Sequence, residues 1–383
     1  MTRQYRQRAT GGGYHRIVAK FGTNLLTAGS ADLDTRVIAD LVGQTVRLMD
    51  EGRELVIVTS GAIAAGRERL SGGQRRRDIP FRQALAAIGQ PRLMRAYDNL
   101  FDRRGRIVAQ TLLSRRDLSD RVGYLNARNS LLGLLEMGIV PIVNENDVVA
   151  IDEIAGARIG DNDTLSALVA NLIDADLLAM LTDTGGLHTA DPRTHKDATL
   201  IPRVERISKE IELIAGGASR EGPGTGGMIT KLQAARLATG GGSDVFIASG
   251  HERNALYRLA TGEHVGTMLP ARRSRLESRK RWMLSGLGTH GSIIVDVGAA
   301  KALVERKTSL LPAGVRAVEG PFKRGDAVNI CLPDGGHPIA CGITNYDDHD
   351  VATIQGMRSD RIADALGYQF GSEVVHRNNL VLL

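Results

Sequence analysis

The chain has 383 residues, of which 42% are hydrophobic and only 4% aromatic, so it can form a sizeable core of mainly aliphatic side chains in two or three domains. Its formal net charge of +6 is compatible with an anionic ligand but gives no information about the fold. No stretch approaches the roughly 18 apolar residues of a membrane span, so we expect no membrane partner.

The N-terminus and the cysteines both indicate a cytoplasmic protein. Residues 1–13 are basic, end in glycines and lack the apolar core of a signal peptide, so we expect a flexible N-terminal extension there. Cys331 and Cys341 do not have the pattern of a metal site, and a chain of this length does not depend on a disulfide. We therefore expect two reduced thiols.

Strand and helix patterns alternate through the first two thirds of the chain. Short apolar runs predict strands, and apolar residues at helical spacing predict helices. The predicted strands are 17–20, 55–58, 107–113, 139–143, 177–181 and 244–248, and the predicted helices are 33–49, 163–172, 230–238 and one that follows residue 62. Repeated β-α-β units predict an α/β domain over residues 14–270, with a mostly parallel sheet sandwiched by helices. Ligands of such sheets collect at the carboxyl ends of the strands.

The composition changes near residue 270. Six lysines and arginines lie between residues 272 and 281 with a single acidic residue among them, which predicts a charged linker over 271–288. The elements beyond it are short and separated by glycine and proline, at 292–297, 327–332, 339–343 and 374–376. This pattern predicts a small, mainly β domain over residues 289–370.

Two glycine-bearing turns, each beside a lysine, lie far apart in the chain: residues 17–24 contain Lys20 and residues 224–231 contain Lys231. Backbone amides in a glycine turn can approach phosphate oxygens closely, and lysine adds a compact positive charge. Phosphoryl transfer needs such positioning and charge more than it needs covalent chemistry from the protein. An ordinary surface lysine or a flexible loop would explain either turn alone, but the pair predicts a phosphoryl group held from two sides. Neither turn is a Walker P-loop, because GxxxxGK[ST] is absent around both lysines.

Four polar segments border the predicted strands and helices. Residues 59–62 offer a hydroxyl and free amides for a carboxylate or phosphate, and residues 144–147 and 160–163 offer acceptors for an ammonium group and amides for a carboxylate. Residues 182–187 end a strand where a nucleotide can bind. Taken singly, each segment is equally compatible with ordinary turn or helix-cap chemistry.

Together and in this order, the motifs resemble the glutamate 5-kinases of the amino acid kinase family, over roughly residues 15–380. The C-terminal part resembles a PUA domain. The kinase resemblance rests on segments 20–23, 58–66, 144–147, 160–163, 181–183, 189–193 and 224–231, and the PUA resemblance on 294–299, 309–314, 322–326 and 366–368.

The resemblance implies a reaction. ATP, with Mg²⁺ as cofactor, phosphorylates the side-chain carboxylate of L-glutamate to L-glutamyl 5-phosphate, the first step of proline biosynthesis. It further implies feedback inhibition by proline and a homo-oligomer, either a dimer or a tetramer. No residue is assigned as a metal ligand.

The resemblance also implies roles for individual residues. Lys20, Lys231 and Asp163 match catalytic positions, where the aspartate organises the two lysines. The positions that match glutamate-binding residues are Ser60, Asp147 and Asn162, and those that match nucleotide-binding residues are Lys20, Thr182, Asp183, Thr225, Gly226, Gly227, Met228, Ile229, Thr230 and Lys231.

Three features depart from the family's pattern. Asn24 stands where a serine is expected after Gly-Thr. The segment 148–159 is slightly longer than usual and adds Asp152 and Glu153, and the segment 71–79 is more basic than usual. Asp152 and Glu153 lie near the expected glutamate pocket, so the longer segment leaves the lid of that pocket open.

Three other functions remain open at this point. A sister kinase of the same fold would act on acetylglutamate, aspartate, carbamate or UMP, but the paired polar segments and the PUA-like tail favour glutamate. An RNA-binding protein would use the tail, whose few aromatic side chains argue against base stacking. A pseudokinase would not need both lysines and Asp163.

Overall fold

A computed structural model describes residues 12–70, 78–150, 162–216, 226–272, 289–333 and 337–383. The chain divides into two compact units, of which the first consists of residues up to Ser119 and Ala127–Arg275, and the second of Asp120–Asn126 and Leu276–Leu383. Most of the predicted N-terminal extension and of the predicted linker lies outside the described residues. The domain boundaries at 14–270 and 289–370 therefore stay predictions.

The first unit is built on one sheet. In the described part of the chain, seven strands follow the order β3-β4-β2-β1-β5-β6-β7. Every neighbouring pair is parallel except β6 and β7. This confirms the predicted α/β architecture with a mostly parallel sheet. The strands are β1 (Arg16–Phe21), β2 (Glu54–Val58), β3 (Val108–Leu113), β4 (Val140–Glu145), β5 (Leu177–Thr182), β6 (Asp244–Ser249) and β7 (Thr267–Leu269).

Helices connect these strands, and the predicted helices are all present with shifted ends. The helix predicted at 230–238 begins four residues earlier, so Gly226 and Gly227, which were expected to form a turn, lie in its first turn. The helices are α1 (Thr23–Leu26), α2 (Thr35–Asp50), α3 (Ala62–Arg69), α4 (Ile79–Asp102), α5 (Arg115–Ser119), α6 (Arg121–Glu136), α7 (Asn162–Leu172), α8 (Lys209–Gly216), α9 (Gly226–Gly241) and α10 (Ala255–Ala260).

Strand β1 occupies the middle of the sheet because all six of its residues are buried. It pairs with β2 on one side and β5 on the other, so Lys20 lies beside Val58 and Met180. The carboxyl ends of β1, β2, β4 and β5 therefore meet at one edge of the sheet. The next strand in the chain, β2, lies on one side of β1, and β5 lies on the other, so the strand order changes direction at β1. Open parallel sheets bind ligands at such a point.

The second unit contains a five-stranded sheet, in the order β12-β11-β10-β8-β9 among its described residues. This agrees with the mainly β domain predicted from the sequence. Its elements are β8 (Ser292–Val295), α11 (Val297–Val304), β9 (Val315–Glu319), β10 (Ala327–Cys331), β11 (Ala340–Ile343), α12 (Asp348–Ile354), α13 (Ile362–Leu366), β12 (Leu380–Leu382) and 3-10 turns at Pro312–Gly314, Ser359–Arg361 and Arg377–Asn379.

Two short elements predicted for this unit differ in the structure. The one predicted at 292–297 is a strand only up to Val295, because the Asp296 side chain accepts a hydrogen bond from the Ala299 amide and begins α11. The element predicted at 374–376 is not a strand, since only an isolated bridge joins Val375 to Leu310. The two cysteine thiols are free and buried.

The aromatic side chains of the second unit cluster more than their low number suggests. The rings of Tyr346 and Tyr368 lie 5.9 and 5.1 Å from the ring of Phe370. The guanidinium of Arg324 lies 3.6 Å from the centre of the Phe370 ring, and the Tyr368 hydroxyl donates to Asp350. One face of Phe370 is therefore already covered by the protein itself.

No helix in the described ranges is long and apolar enough to cross a membrane.

Candidate active site

A buried carboxylate between two lysines forms the centre of the candidate site. Asp163 is completely buried, and its Oδ1 atom forms an ion pair with Nζ of Lys20. Its Oδ2 atom lies 3.1 Å from Nζ of Lys231 and accepts a hydrogen bond of 2.9 Å from the Thr230 hydroxyl. The two lysine-bearing segments, 211 residues apart, therefore meet on a single side chain.

Three elements of the first unit position these groups. Lys20 is the penultimate residue of the central strand β1, and Asp163 lies in the first turn of α7, which packs against β1. Thr230 and Lys231 lie in the second turn of α9, which packs against α7. The Lys231 ammonium also donates to the Gly227 carbonyl at 3.1 Å, so its position is set by its own helix as well as by Asp163.

The electrostatics of this centre favour an anionic ligand. Burial alone would raise the pKa of Asp163, but Lys20, then Lys231, and the hydrogen bonds from Lys20 and Thr230 outweigh it and hold that pKa well below its ordinary value. Asp163 is therefore ionised at neutral pH. With both lysines protonated, the cluster carries an excess of one positive charge, and Lys231 is the more accessible of the two lysines.

A pocket of about 260 Å³ adjoins Lys231. Five residues predicted to bind a nucleotide line it: Thr182, Asp183, Gly227, Met228 and Lys231. Lys20, Gly226, Ile229 and Thr230 are predicted nucleotide residues that do not line it, and Thr225 lies outside the described residues. The pocket thus joins the end of β5 to the first turns of α9.

Asn24, the residue that departs from the family's pattern, also lines this pocket. Its side-chain amide donates to Oδ2 of Asp183 at 3.2 Å, while the Thr182 hydroxyl donates to Oδ1 at 2.9 Å. Partial burial opposes ionisation of Asp183, but these two hydrogen bonds prevail and lower its pKa. An ionised carboxylate therefore lies in the pocket, and Asn24 and Thr182 each donate a hydrogen bond to one of its oxygens.

The remaining wall of the pocket was predicted only in part, because residues 182–187 were expected to border a nucleotide whereas the end of α8 was not assigned. It is formed by a segment after β5 and by the end of α8, and it comprises Thr184, Gly186, Leu187, His188, Ala190, Asp191, Pro192, Arg193, Ile214 and Ala215. Part of it, residues 189–193, carried the resemblance, and the Asp-Pro pair within it was the available signal. There Arg193 forms an ion pair with Asp191 through two nitrogens, at 2.9 and 3.1 Å.

The residues predicted to bind glutamate lie at the neighbouring strand ends. Ser60 follows β2, Asp147 follows β4, and Asn162 is the first residue of α7, which contacts both strands. The Thr59 amide donates to the Val143 carbonyl at 2.9 Å and so joins the two strand ends. Asn162 is buried, and its Oδ1 atom has no hydrogen-bond partner among the described residues. Segments 151–161 and 71–77, with two of the three departures, lie outside the part described.

Asp147 has an unusual ionisation. Burial, followed by the nearby Glu145 carboxylate, raises the pKa of Asp147 to about 6, although Arg82 acts in the opposite direction. Two carboxyl groups thus lie close together, one on the last residue of β4 and one just after it. A ligand that brings an ammonium group would relieve their repulsion, which favours a cationic group on this side of the site.

The described residues contain no group of three or more His, Cys, Asp or Glu side chains placed to hold a metal ion. Mg²⁺ in phosphoryl-transfer sites commonly takes its ligands from one or two carboxylates, the phosphates and water.

Comparison with known proteins shows which families the two parts of the chain resemble. Residues 15–249 match the amino acid kinase family, and residues 291–366 match the PUA domain. A protein named Glutamate 5-kinase from Dehalococcoides mccartyi (strain CBDB1) is 54% identical over 370 residues, which cover 97% of this chain and 99% of that relative. One of the same name from Herpetosiphon aurantiacus is 52% identical, over 96% and 98% of the two chains. A solved UMP kinase from Bacillus anthracis covers 68% of this chain and 98% of its own, with 14% identity and a TM-score of 0.46, too low to support a conclusion.

Proposed function

Because this chain belongs to the glutamate 5-kinases of the amino acid kinase family, we propose that it transfers the γ-phosphoryl group of ATP to the side-chain carboxylate of L-glutamate. The products are L-glutamyl 5-phosphate and ADP. The observation that carries the proposal is the Lys20–Asp163–Lys231 cluster, in which the carboxylate is buried. Lys231 also lines the nucleotide pocket, and Asn162, a predicted glutamate-binding residue, directly precedes Asp163 in the chain.

The reaction requires charge compensation more than it requires a base. A glutamate oxygen attacks the γ-phosphorus, and the bond from that phosphorus to the β-γ bridging oxygen breaks, so no proton is transferred. The side-chain carboxylate is already ionised at neutral pH, and the obstacle is the approach of two anions. Lys20 and Lys231 offset this repulsion, and Asp163 holds both ammonium groups in place before the substrates arrive.

The acceptor roles follow from the chemistry of the strand-end residues. The Asp147 carboxylate would bind the ammonium group of glutamate. The Ser60 hydroxyl and the Asn162 amide would donate hydrogen bonds to its carboxylates. The support for these roles is the placement of the three residues after β2, after β4 and at the start of α7.

The nucleotide roles rest on the pocket beside Lys231. Thr182, Asp183 and the first turns of α9 would surround ATP, and the amides at the start of α9 would face its phosphates. Mg²⁺ would enter bound to the phosphates and supply further positive charge. We propose no protein ligand for it.

Sensitivity to proline and assembly into a dimer or tetramer are part of the same proposal. Their support is the family membership alone. Proline inhibition would appear as reduced turnover in the assay described next, and the oligomer as the mass measured by light scattering.

The test is a panel of acceptors with purified full-length protein, ATP and Mg²⁺. L-Glutamate, N-acetylglutamate, aspartate, carbamate and UMP are compared by ADP release, with hydroxylamine present to trap an acyl phosphate as its hydroxamate. We expect ADP release above the rate without acceptor, and formation of the hydroxamate, only when glutamate is the acceptor. ADP release with another acceptor but not with glutamate would replace this proposal with a sister kinase.

A further inference from the structure

Helix α4 carries three polar side chains at intervals of seven residues: Gln83, Gln90 and Tyr97. Seven residues correspond to about two helical turns, so these side chains share one face, here called the α4 stripe. Each one contacts a different segment of the acceptor side of the site.

The contacts of the stripe are specific. The Gln83 side-chain amide donates to the carbonyls of Asp147 and Val148, at 3.2 and 3.0 Å. The Gln90 carbonyl accepts a hydrogen bond of 2.8 Å from the Asn144 side-chain amide. The hydroxyls of Tyr97 and Thr59, both completely buried, are hydrogen-bonded at 2.8 Å. Thr59 immediately precedes Ser60.

Glycines hold α4 close to the start of α3. A Cβ atom on Gly89 would lie 1.8 Å from the Ala62 carbonyl oxygen, and one on Gly66 would lie 1.9 Å from the Leu85 carbonyl oxygen. The two helix backbones are therefore in direct contact, and no larger residue fits at either position without moving a helix. Gln90 follows Gly89, and Ser60 lies two residues before Ala62. The close contact between α3 and α4 therefore fixes the position of Gln90 relative to Ser60.

The central contact of the stripe leaves two polar atoms without partners. Asn144 is buried near the end of β4, and its side-chain amide donates a hydrogen bond to the Gln90 side-chain carbonyl. The Oδ1 atom of Asn144 and the Nε2 atom of Gln90 are both buried, and neither finds a hydrogen-bond partner among the described residues. Buried polar atoms are nearly always paired in folded proteins. One unused acceptor and one unused donor on adjacent amides match the ammonium and carboxylate groups of an amino acid.

We propose that Gln90 is a positioning residue for the acceptor, which acts by fixing the orientation of the Asn144 amide. With the Asn144 NH₂ group engaged by Gln90, its Oδ1 atom is the atom left to accept a hydrogen bond from the ammonium group of the acceptor amino acid. This inference rests on the proposed function, because it takes glutamate as that acceptor. Gln83 supports the same pocket by holding the backbone that carries Asp147.

The test is a double-mutant cycle of Gln90→Met and Asn144→Ala with glutamate as substrate. Loss of one buried hydrogen bond predicts a KM for glutamate about five- to tenfold higher in Q90M, with kcat and the KM for ATP within about twofold of wild type. Because Gln90 acts through Asn144, Q90M should add little when Asn144 is already alanine. Gln110→Met, the same change at an exposed position of β3, should leave all three constants unchanged.

Several results would overturn the inference. A glutamate KM unchanged in Q90M would do so, as would effects of Q90M and N144A that multiply in the double variant. If Q90M does not fold, as judged by its melting temperature, Gln90→Ala replaces it with the same expectation. Glutamate-dependent thermal stabilisation without ATP provides a second readout, which should weaken in step with KM. Absence of glutamate phosphorylation in the wild type would instead refute the proposed function, so the two failures are distinguishable.

Discussion

Replacement of Lys231 with alanine is the substitution that most directly separates binding from phosphoryl transfer. Lys231 lines the nucleotide pocket and pairs with Asp163, while the acceptor residues lie at the ends of β2 and β4. Its charge is most useful when negative charge moves between the two substrates. We therefore expect K231A to lower kcat far more than it weakens the binding of glutamate.

The size of the effect follows from the geometry of the cluster. Two unit charges separated by 3.1 Å, the distance from Lys231 to Asp163, interact by about 5 kcal/mol at an effective dielectric constant of about 20. A phosphoryl oxygen held at a similar distance would lose at most that amount. Removal of one preorganised group facing transition-state charge typically costs about 3–4 kcal/mol, so kcat should fall by roughly 10²–10³. The KM for glutamate should change by less than about threefold.

Steady-state kinetics with varied ATP and varied glutamate measure this difference. Lys301→Ala, at an exposed lysine of α11, is the matched control and should retain wild-type constants. Melting temperatures establish that both variants are folded. A kcat for K231A within twofold of wild type would refute the reasoning, and so would a loss expressed entirely in the KM for glutamate.

Three further predictions concern neighbouring residues. The KM for glutamate should rise as the pH falls through about 6, because Asp147 is ionised above that pH and loses its charge below it. Asp147→Ala should raise that KM at neutral pH and remove the pH dependence. A change in the KM for ATP alone would move Asp147 to another site. Asp163→Asn should lower the free energy of unfolding measured in urea by about 3–5 kcal/mol, since it leaves the buried Lys20 and the partly buried Lys231 without their anion. Unchanged stability would show that the lysines do not depend on Asp163. Asn24→Ala should raise the KM for ATP by about two- to tenfold through loss of its hydrogen bond to Asp183, and an equal change in the KM for glutamate would contradict that assignment.

The parallel sheet could be predicted because its strands are short apolar runs that are buried on both faces. Both ends of β1, β2, β3, β5 and β6 were predicted to within one residue. The family resemblance inferred from the motifs is confirmed by relatives about half identical over nearly the whole chain.

Helix α4 could not be predicted from apolar spacing. Gly89, Gln90 and Pro91 interrupt its pattern, yet these residues are explained by the structure. Gly89 allows the contact with α3, and Gln90 contacts Asn144. Local rules fail here because the sequence serves packing between helices and a polar contact rather than an apolar face.

The candidate site shows the same division. The residue types of Lys20, Asp163 and Lys231 were recognisable, but their meeting depends on the packing of α7 against α9 and β1, which no local pattern encodes. The contribution of Asn24 and of the end of α8 was missed because a pocket wall requires only shape and a few polar atoms. The short strands β9 and β12 were missed because pairing with neighbours, rather than composition, defines them.

The central claim is that the glutamate side-chain carboxylate itself attacks the γ-phosphorus of ATP. It is tested most directly with L-glutamate labelled with ¹⁸O in both side-chain carboxylate oxygens. Hydroxylamine then attacks the acyl carbon of the product and releases its phosphate, which mass spectrometry analyses. The account predicts one ¹⁸O atom in each phosphate released in this way. Unlabelled phosphate formed at the rate of ADP release would show that water is the acceptor and would contradict the account.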